Sequence, residues 1–139
     1  MLVLQAAAEG NRQEVLKRSR DIGFLTGYET KTMEEAHVDS VMTLGETLRV
    51  DVYDFAKQNA TRRVTGHLST MARERLTPPP DESYSLHRKF GGVFLLLARL
   101  GSVVRCSSHF KSIVENYKFD KTIYKVRDMP VDDGNTGIN

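Results

Sequence analysis

Apolar residues in this sequence recur at steps of three and four positions, which is the spacing of a buried face on an α-helix. The clearest run places these side chains on one face: Met33, Ala36, His37, Ser40, Val41, Leu44 and Leu48. The charged residues of this run lie mostly off that face, as in an amphipathic helix. Comparable runs follow along the chain, so the sequence predicts an all-α fold with about six helices.

Residues with special backbone preferences indicate where the first helices begin and end. Gly10 ends the first helix, because glycine readily leaves the helical conformation. Two pairs have the spacing of a capping box, in which each residue bonds the other's free backbone N–H: Asn11 with Glu14, and Thr32 with Glu35. The stretch 49–55 alternates apolar and charged residues, and it is either a linker or a brief extended segment.

The second half of the chain has its own boundary signals. Three consecutive prolines at 78–80 end the fourth helix, because proline lacks a backbone donor. Ser83 or Ser85 is expected to cap the fifth helix, and Ser107 or Ser108 the sixth. Residues 1–127 are therefore expected to form one helical unit, followed by a flexible acidic tail at 128–139.

The fifth helix is the most apolar of the six. Its predicted buried stripe is Leu86, Phe90, Val93, Phe94, Leu97 and Leu100. Gly91 and Gly92 interrupt this helix, and each costs about 1 kcal/mol relative to alanine. Such a cost is tolerated where another backbone must come close, so the sequence predicts a tight helix–helix contact at this glycine pair.

Length and composition exclude several classes of protein. The 139 residues allow one domain, and 10 Gly with 4 Pro exclude a collagen-like chain. The longest apolar run, 93–98, is far too short to cross a bilayer, and the first residues do not resemble a secretory signal. A single cysteine, Cys106, cannot form an internal disulfide, which favours a reducing compartment.

Charge is distributed unevenly along the chain although the net charge is only +2. Residues 55–127 carry 14 Lys and Arg against 5 Asp and Glu. Such a segment is typical of a protein that binds a negatively charged partner, either a phospholipid surface or a nucleic acid. The basic residues are dispersed, however, so the preferred interpretation is that their long side chains cover the solvated faces of helices. No aromatic platform accompanies them, and nucleic acid is not expected as a partner.

Candidate chemical groups are few and widely separated. The four histidines share no metal-binding spacing with one another or with Cys106: His37, His67, His87 and His109. His37 is predicted to be a hydrogen-bonded core histidine, because it lies on an apolar helix face. Asp54-Phe55-Ala56 resembles the metal-binding motif of kinases, but no catalytic loop precedes it. The sequence therefore predicts no catalytic, cofactor-binding or metal-binding residue in this chain.

Several blocks of sequence, in matching order and spacing, resemble one known family. The two longest are residues 23–29 (GFLTGYE) and 33–39 (MEEAHVD). Shorter ones follow at 44–46 (LGE), 76–80 (LTPPP), 84–89 (YSLHRK) and 91–92 (GG). Together they resemble the end of the UbiB family, also known as the aarF-domain-containing kinases, and they cover about residues 1–118. The resemblance is to the mitochondrial members, and residues 123–139 have no match.

This resemblance implies the C-terminal end of the larger lobe of an atypical kinase or ATPase of ubiquinone biosynthesis. In the family, the motifs for ATP and magnesium lie upstream of the matching region, so this chain is expected to be inactive alone. The implied partners are the rest of the kinase-like domain, ubiquinone-biosynthesis proteins and an anionic inner-membrane surface on the matrix side of the mitochondrion. The alternatives are a stand-alone helical interaction module and a membrane-surface segment without catalysis.

Overall fold

A computed structural model describes residues 2–118 of the chain. The helices, in chain order, are α1 (Leu2–Ala8), α2 (Arg12–Asp21), α3 (Lys31–Arg49), α4 (Ala60–Glu74), α5 (Asp81–Arg99) and α6 (Cys106–Asn116). Two short strands, β1 (Tyr53–Asp54) and β2 (Val103–Val104), complete the described part. The prediction of an all-α fold with six helices is confirmed. The acidic tail predicted at 128–139 and the unmatched segment 123–139 lie outside the described residues.

Helix α3 lies at the centre and packs against α1, α2, α4 and α6. Because neighbours surround it, polar residues on this helix are buried along with apolar ones. Ser40 and Thr43 donate hydrogen bonds of 2.8 Å to carbonyls of their own helix, and Thr47 does the same. Buried hydroxyls satisfied in this way add little desolvation cost to the core. Within residues 2–118, every helix is too short or too polar to span a lipid bilayer.

Helix α1 approaches α3 closely at Gly45. A Cβ atom added to this glycine would lie 2.3 Å from the Cβ of Ala7 and 2.8 Å from its carbonyl carbon. Ala6 and Ala7 are both buried here. A glycine on one helix and two alanines on the other thus allow the two backbones to come together.

The two strands form an antiparallel pair in which Tyr53 lies opposite Val104. This result decides between the two interpretations of segment 49–55, which contains a brief extended piece. Tyr53 and Phe55 are buried and meet edge to face at 4.8 Å, and Phe55 meets Phe94 of α5 at 5.3 Å. The strand pair therefore attaches the aromatic core to α5.

Helix starts agree with the sequence prediction at one cap and differ at three. Asn11 caps α2 as predicted, because its side chain accepts from the backbone N–H of Glu14 at 3.0 Å. The cap of α3 is Thr30, two residues before the predicted Thr32. Helices α5 and α6 begin at Asp81 and Cys106, before the serines predicted to cap them. Proline at residue 80 has a fixed φ that suits a helix start, which explains the early start of α5.

Within residues 2–118, no neighbour makes the tight helix–helix contact predicted at Gly91 and Gly92. Both residues are exposed, and a Cβ atom added to either would meet nothing within 4 Å. The buried stripe predicted for α5 is also narrower than expected: Phe94 is buried, Phe90 and Leu97 are half-buried, and Leu86, Val93 and Leu100 are exposed. The reason is that α5 packs mainly against α4 and the aromatic cluster, which cover only one side of it.

Candidate functional site

The loop between α2 and α3 is organised by the carboxylate of Glu29. This carboxylate accepts hydrogen bonds from the backbone N–H of Thr26 at 2.7 Å and of Gly27 at 2.8 Å. It also accepts one from the Thr26 hydroxyl at 2.9 Å. Burial raises the pKa of Glu29, but these hydrogen bonds outweigh that effect and the net pKa is lowered. Gly27 has φ +91°, a backbone conformation that favours glycine in such a turn.

Phe24 of the same loop lies between two histidines from different helices. Its ring centroid is 5.9 Å from that of His37 on α3 and 5.3 Å from that of His87 on α5. Leu25 beside it is buried in the core with Met33. Thr26, the next residue of this loop, is exposed.

His37 is a neutral, hydrogen-bonded histidine of the core, as the sequence predicts. Its side chain is buried, and its Nε2 atom lies 2.9 Å from the hydroxyl of Ser19 on α2. Burial, together with the nearby charge of Arg75, lowers the pKa of His37 to about 4, against a smaller opposing effect of Glu29. His37 therefore holds α2 against α3, and its imidazole is uncharged at neutral pH.

Arg75 follows the last residue of α4 and extends toward the same group of side chains. Its Nη1 atom is buried and has no hydrogen-bond partner among residues 2–118. Burial lowers the pKa of this guanidinium, and the carboxylate of Glu29 opposes that effect. Burial and the Arg75 charge also lower the pKa of His87. We name the set Glu29, His37, Arg75 and His87 the polar junction.

The polar junction joins four parts of the chain: the α2–α3 loop, α3, the end of α4, and α5. The carboxylate of Glu29 accepts hydrogen bonds within its own loop, whereas Nε2 of His37 links α3 to Ser19 of α2. Sequence reasoning predicted the role of His37 but missed the other three residues. They come from separate elements, and no local spacing in the sequence indicates that they meet.

The fold also accounts for Asp54, Glu34 and Cys106. Asp54 accepts hydrogen bonds of 3.1 Å from the backbone N–H groups of Ala56 and Lys57, while the Phe55 ring fills the aromatic core. Glu34 pairs with Arg20. Burial raises the pKa of the Cys106 thiol. Within residues 2–118, His, Cys, Asp and Glu form no group of three or more that could hold a metal ion.

An exposed apolar surface on α5 is the second candidate site. We name it the outer seam, and its members are Leu86, Lys89, Val93, Leu96 and Leu100. The four apolar members are 50–69% exposed, and they lie beside the stripe that packs on the core. Single exposed apolar residues are common on protein surfaces, but an aligned set on one helix indicates an interaction site.

Comparison with known proteins finds extensive similarity to atypical kinases. Atypical kinase coq-8, mitochondrial, of Caenorhabditis elegans is 48% identical over 120 residues, which are 86% of this chain and 16% of that protein. Atypical kinase COQ8B, mitochondrial, of Danio rerio is 46% identical over 117 residues, or 84% of this chain and 19% of that protein.

Atypical kinase COQ8, mitochondrial, of Saccharomyces cerevisiae is 48% identical over 114 residues, or 80% of this chain and 23% of that protein. The chain thus spans about a fifth of the length of the curated relatives that it matches. No protein-family model matches the chain. The matched part includes most of the residues that form the core, the polar junction and the outer seam.

Proposed function

Since the chain belongs to the UbiB family of atypical kinases, we propose that it forms the C-terminal helical part of the larger lobe of a kinase-like domain. The whole protein then acts in the mitochondrion as an atypical kinase or ATPase that supports ubiquinone biosynthesis. The observation that carries this proposal is identity of 43–48% with five COQ8 kinases over at least 80% of the chain.

We infer that the described residues do not hold ATP with magnesium, and two observations support this. Asp54, the one residue in a kinase-like motif, uses one carboxylate oxygen on two backbone N–H groups and has the other 3.3 Å from Nζ of Lys57. The Gly91–Gly92 pair lies inside a helix, whereas phosphate-binding glycines lie before one. ATP and magnesium are therefore proposed to bind residues of the longer polypeptide outside these 139.

The role proposed for these helices is structural support of a catalytic lobe. The polar junction and the central helix α3 hold six helices in one arrangement, while the outer seam leaves an apolar surface for a neighbour. Kinases hold phosphate and magnesium on loops that depend on such helices for their positions. The rest of the kinase-like domain is thus the first expected partner, and other ubiquinone-biosynthesis proteins are further ones.

The test compares ATP hydrolysis by the 139-residue chain with that by a chimera. In the chimera, this chain replaces the matching residues of the Caenorhabditis elegans relative. We expect no turnover by the chain alone and turnover by the chimera close to that of the unmodified relative. A matched control lacks the same residues entirely and should be inactive.

Each outcome bears on a separate part of the proposal. Turnover by the chain alone would overturn the location of ATP outside these residues. A folded chimera without turnover would overturn the assignment to a kinase lobe. Ubiquinone content of yeast cells, in which the chimera replaces their own COQ8, tests the pathway, and we expect it to be restored.

A second candidate function is binding to a membrane surface or a protein partner without catalysis. The observation that favours it is the outer seam with basic side chains nearby, since Arg88, Lys89 and Arg99 are all exposed on α5. Flotation of the chain with anionic vesicles at low and high salt tests the membrane case, because electrostatic attachment weakens as ions screen it. Absence of binding at both salt concentrations would exclude the membrane case.

A further inference from the structure

The outer seam has the spacing of a helix–helix contact. Its members Leu86, Val93 and Leu100 are seven residues apart, and Lys89 and Leu96 fall between them at steps of three and four. This is the spacing at which one helix packs along another, with side chains of each helix inserted between those of its partner. The aromatic core occupies a different side of α5, so residues 2–118 leave the seam free for a second neighbour.

Gly92 borders the seam, one helical turn before Leu96. Glycine inside a helix lowers stability relative to alanine unless a close neighbour requires it. The same chain shows that requirement at Gly45, where the backbone of Ala7 would lie 2.8 Å from an added Cβ. At Gly92 the corresponding space is open within 4 Å. A backbone as close as that of α1 therefore fits beside Gly92 without rearrangement.

We propose that the outer seam is covered by an α-helix from the part of the longer UbiB-family polypeptide outside these 139 residues, with its backbone against Gly92. This inference rests on the proposed function. The length of the relatives indicates the source of this helix, because the chain spans only 16–23% of their length and most of each relative lies outside the matched part. The helix presents an apolar face with one acidic residue opposite Lys89, since a covered ammonium group needs a partner of opposite charge.

A second copy of the chain that packs in parallel is a weaker fit to the same surface. Parallel pairing of two outer seams would bring the Lys89 ammonium groups of both copies into one layer, and like charges in contact disfavour association. A covering helix of different sequence avoids this repulsion. Self-association is therefore an outcome of the test that would overturn the proposal.

Thiol labelling tests the covering directly. Cysteine is introduced at Leu96 on the seam or at Arg88 on another side of α5, after Cys106 is changed to serine, and labelling rates are measured in the chain and in the chimera described above. We expect L96C to react at least tenfold more slowly in the chimera, while R88C reacts at similar rates in both. Equal rates for L96C in an active chimera would overturn this inference and leave the proposed function intact.

Alanine substitutions at two glycines provide an independent measurement. Gly92 and Gly66 are both helical, exposed and free of neighbours within 4 Å of an added Cβ, which makes Gly66 the matched control. In the isolated chain, G92A and G66A should each raise the melting temperature by about 3 °C. In the chimera, G92A should lower it while G66A still raises it.

Either of two results would contradict the proposed helix. A higher melting temperature of the G92A chimera would show that no backbone lies against Gly92. If the labelling rate of L96C in the isolated chain falls as the protein concentration rises, a second copy covers the seam.

Discussion

Replacing Gly45 by alanine tests the contact between α1 and α3. The added methyl group would lie 2.3 Å from the Cβ of Ala7 and 3.0 Å from its carbonyl oxygen, whereas ordinary van der Waals contacts begin near 3.4 Å. The neighbour includes the backbone of α1, which cannot turn aside as a flexible side chain could. Helix α1 must therefore move away by about 1 Å, and the buried contacts of Ala6 and Ala7 loosen.

The magnitude follows from two opposing effects. Overpacking of a close contact costs about 1–3 kcal/mol, and the short distances to Ala7 at Gly45 put this case near the upper end. Alanine gains about 1 kcal/mol over glycine in a helix. We expect a net loss of about 2 kcal/mol in the free energy of unfolding. The matched variant G66A has the gain without the clash, so the two variants should differ by about 3 kcal/mol.

Urea denaturation of the 139-residue chain followed by far-ultraviolet circular dichroism measures this difference. With a slope of about 2 kcal/mol per molar urea, G45A should unfold roughly 1 M earlier than the unmodified chain. Adding A7G to G45A should restore only part of the loss, because the clash with the Ala7 backbone remains. A midpoint for G45A at or above that of the unmodified chain would refute the described approach of α1 to α3.

Three further predictions concern buried polar groups. The pKa of His37 falls from 6.5 to about 4 on folding, so its neutral form stabilises the fold at neutral pH and that stability is lost on acidification. The free energy of unfolding, measured by urea titration, should fall by about 3 kcal/mol between pH 7.5 and pH 4. H37Q should flatten this pH dependence, and an unchanged slope in H37Q would contradict the role of His37. Removing the charge of Arg75 with R75M should raise the pKa of both His37 and His87 in an NMR titration, whereas R73M, at an exposed arginine of α4, should leave them unchanged. The hydroxyl of Tyr53 is buried and has no hydrogen-bond partner in the described part of the chain, so Y53F should keep or increase the free energy of unfolding. A loss above about 1.5 kcal/mol in urea denaturation would show that the hydroxyl is bonded.

The sequence predicted those features that depend on local spacing and capping. The period of three and four in α3 and the cap at Asn11 both reappear in the structure, because each depends on residues within one or two turns. The prolines at 78–80 also separate α4 from α5, since their effect on the backbone is local. Exact starts were less predictable, because Thr30 and Thr32 are both residue types that cap helices, and the hydrogen bond of Thr30 to Glu74 of α4 depends on the fold.

Features that depend on tertiary neighbours were not predictable from the sequence. The glycine pair in α5 and the glycine in α3 look alike in sequence, yet only Gly45 contacts another helix within residues 2–118. The exposure of Val93 and Leu100 has the same origin, because the spacing identifies an apolar side but not what covers it. Within the candidate site, the burial of His37 followed from its helix face, whereas its approach to Arg75 required the fold.

The pairing of β1 with β2 has a consequence for the order of folding. These two short strands close a loop of chain that contains both α4 and α5. Joining distant points of a polypeptide costs entropy before any contact repays it, while helices grow from near neighbours within microseconds. We therefore expect α4 and α5 to be helical before Tyr53 reaches Val104, and this strand pair to be among the last native contacts that the chain acquires.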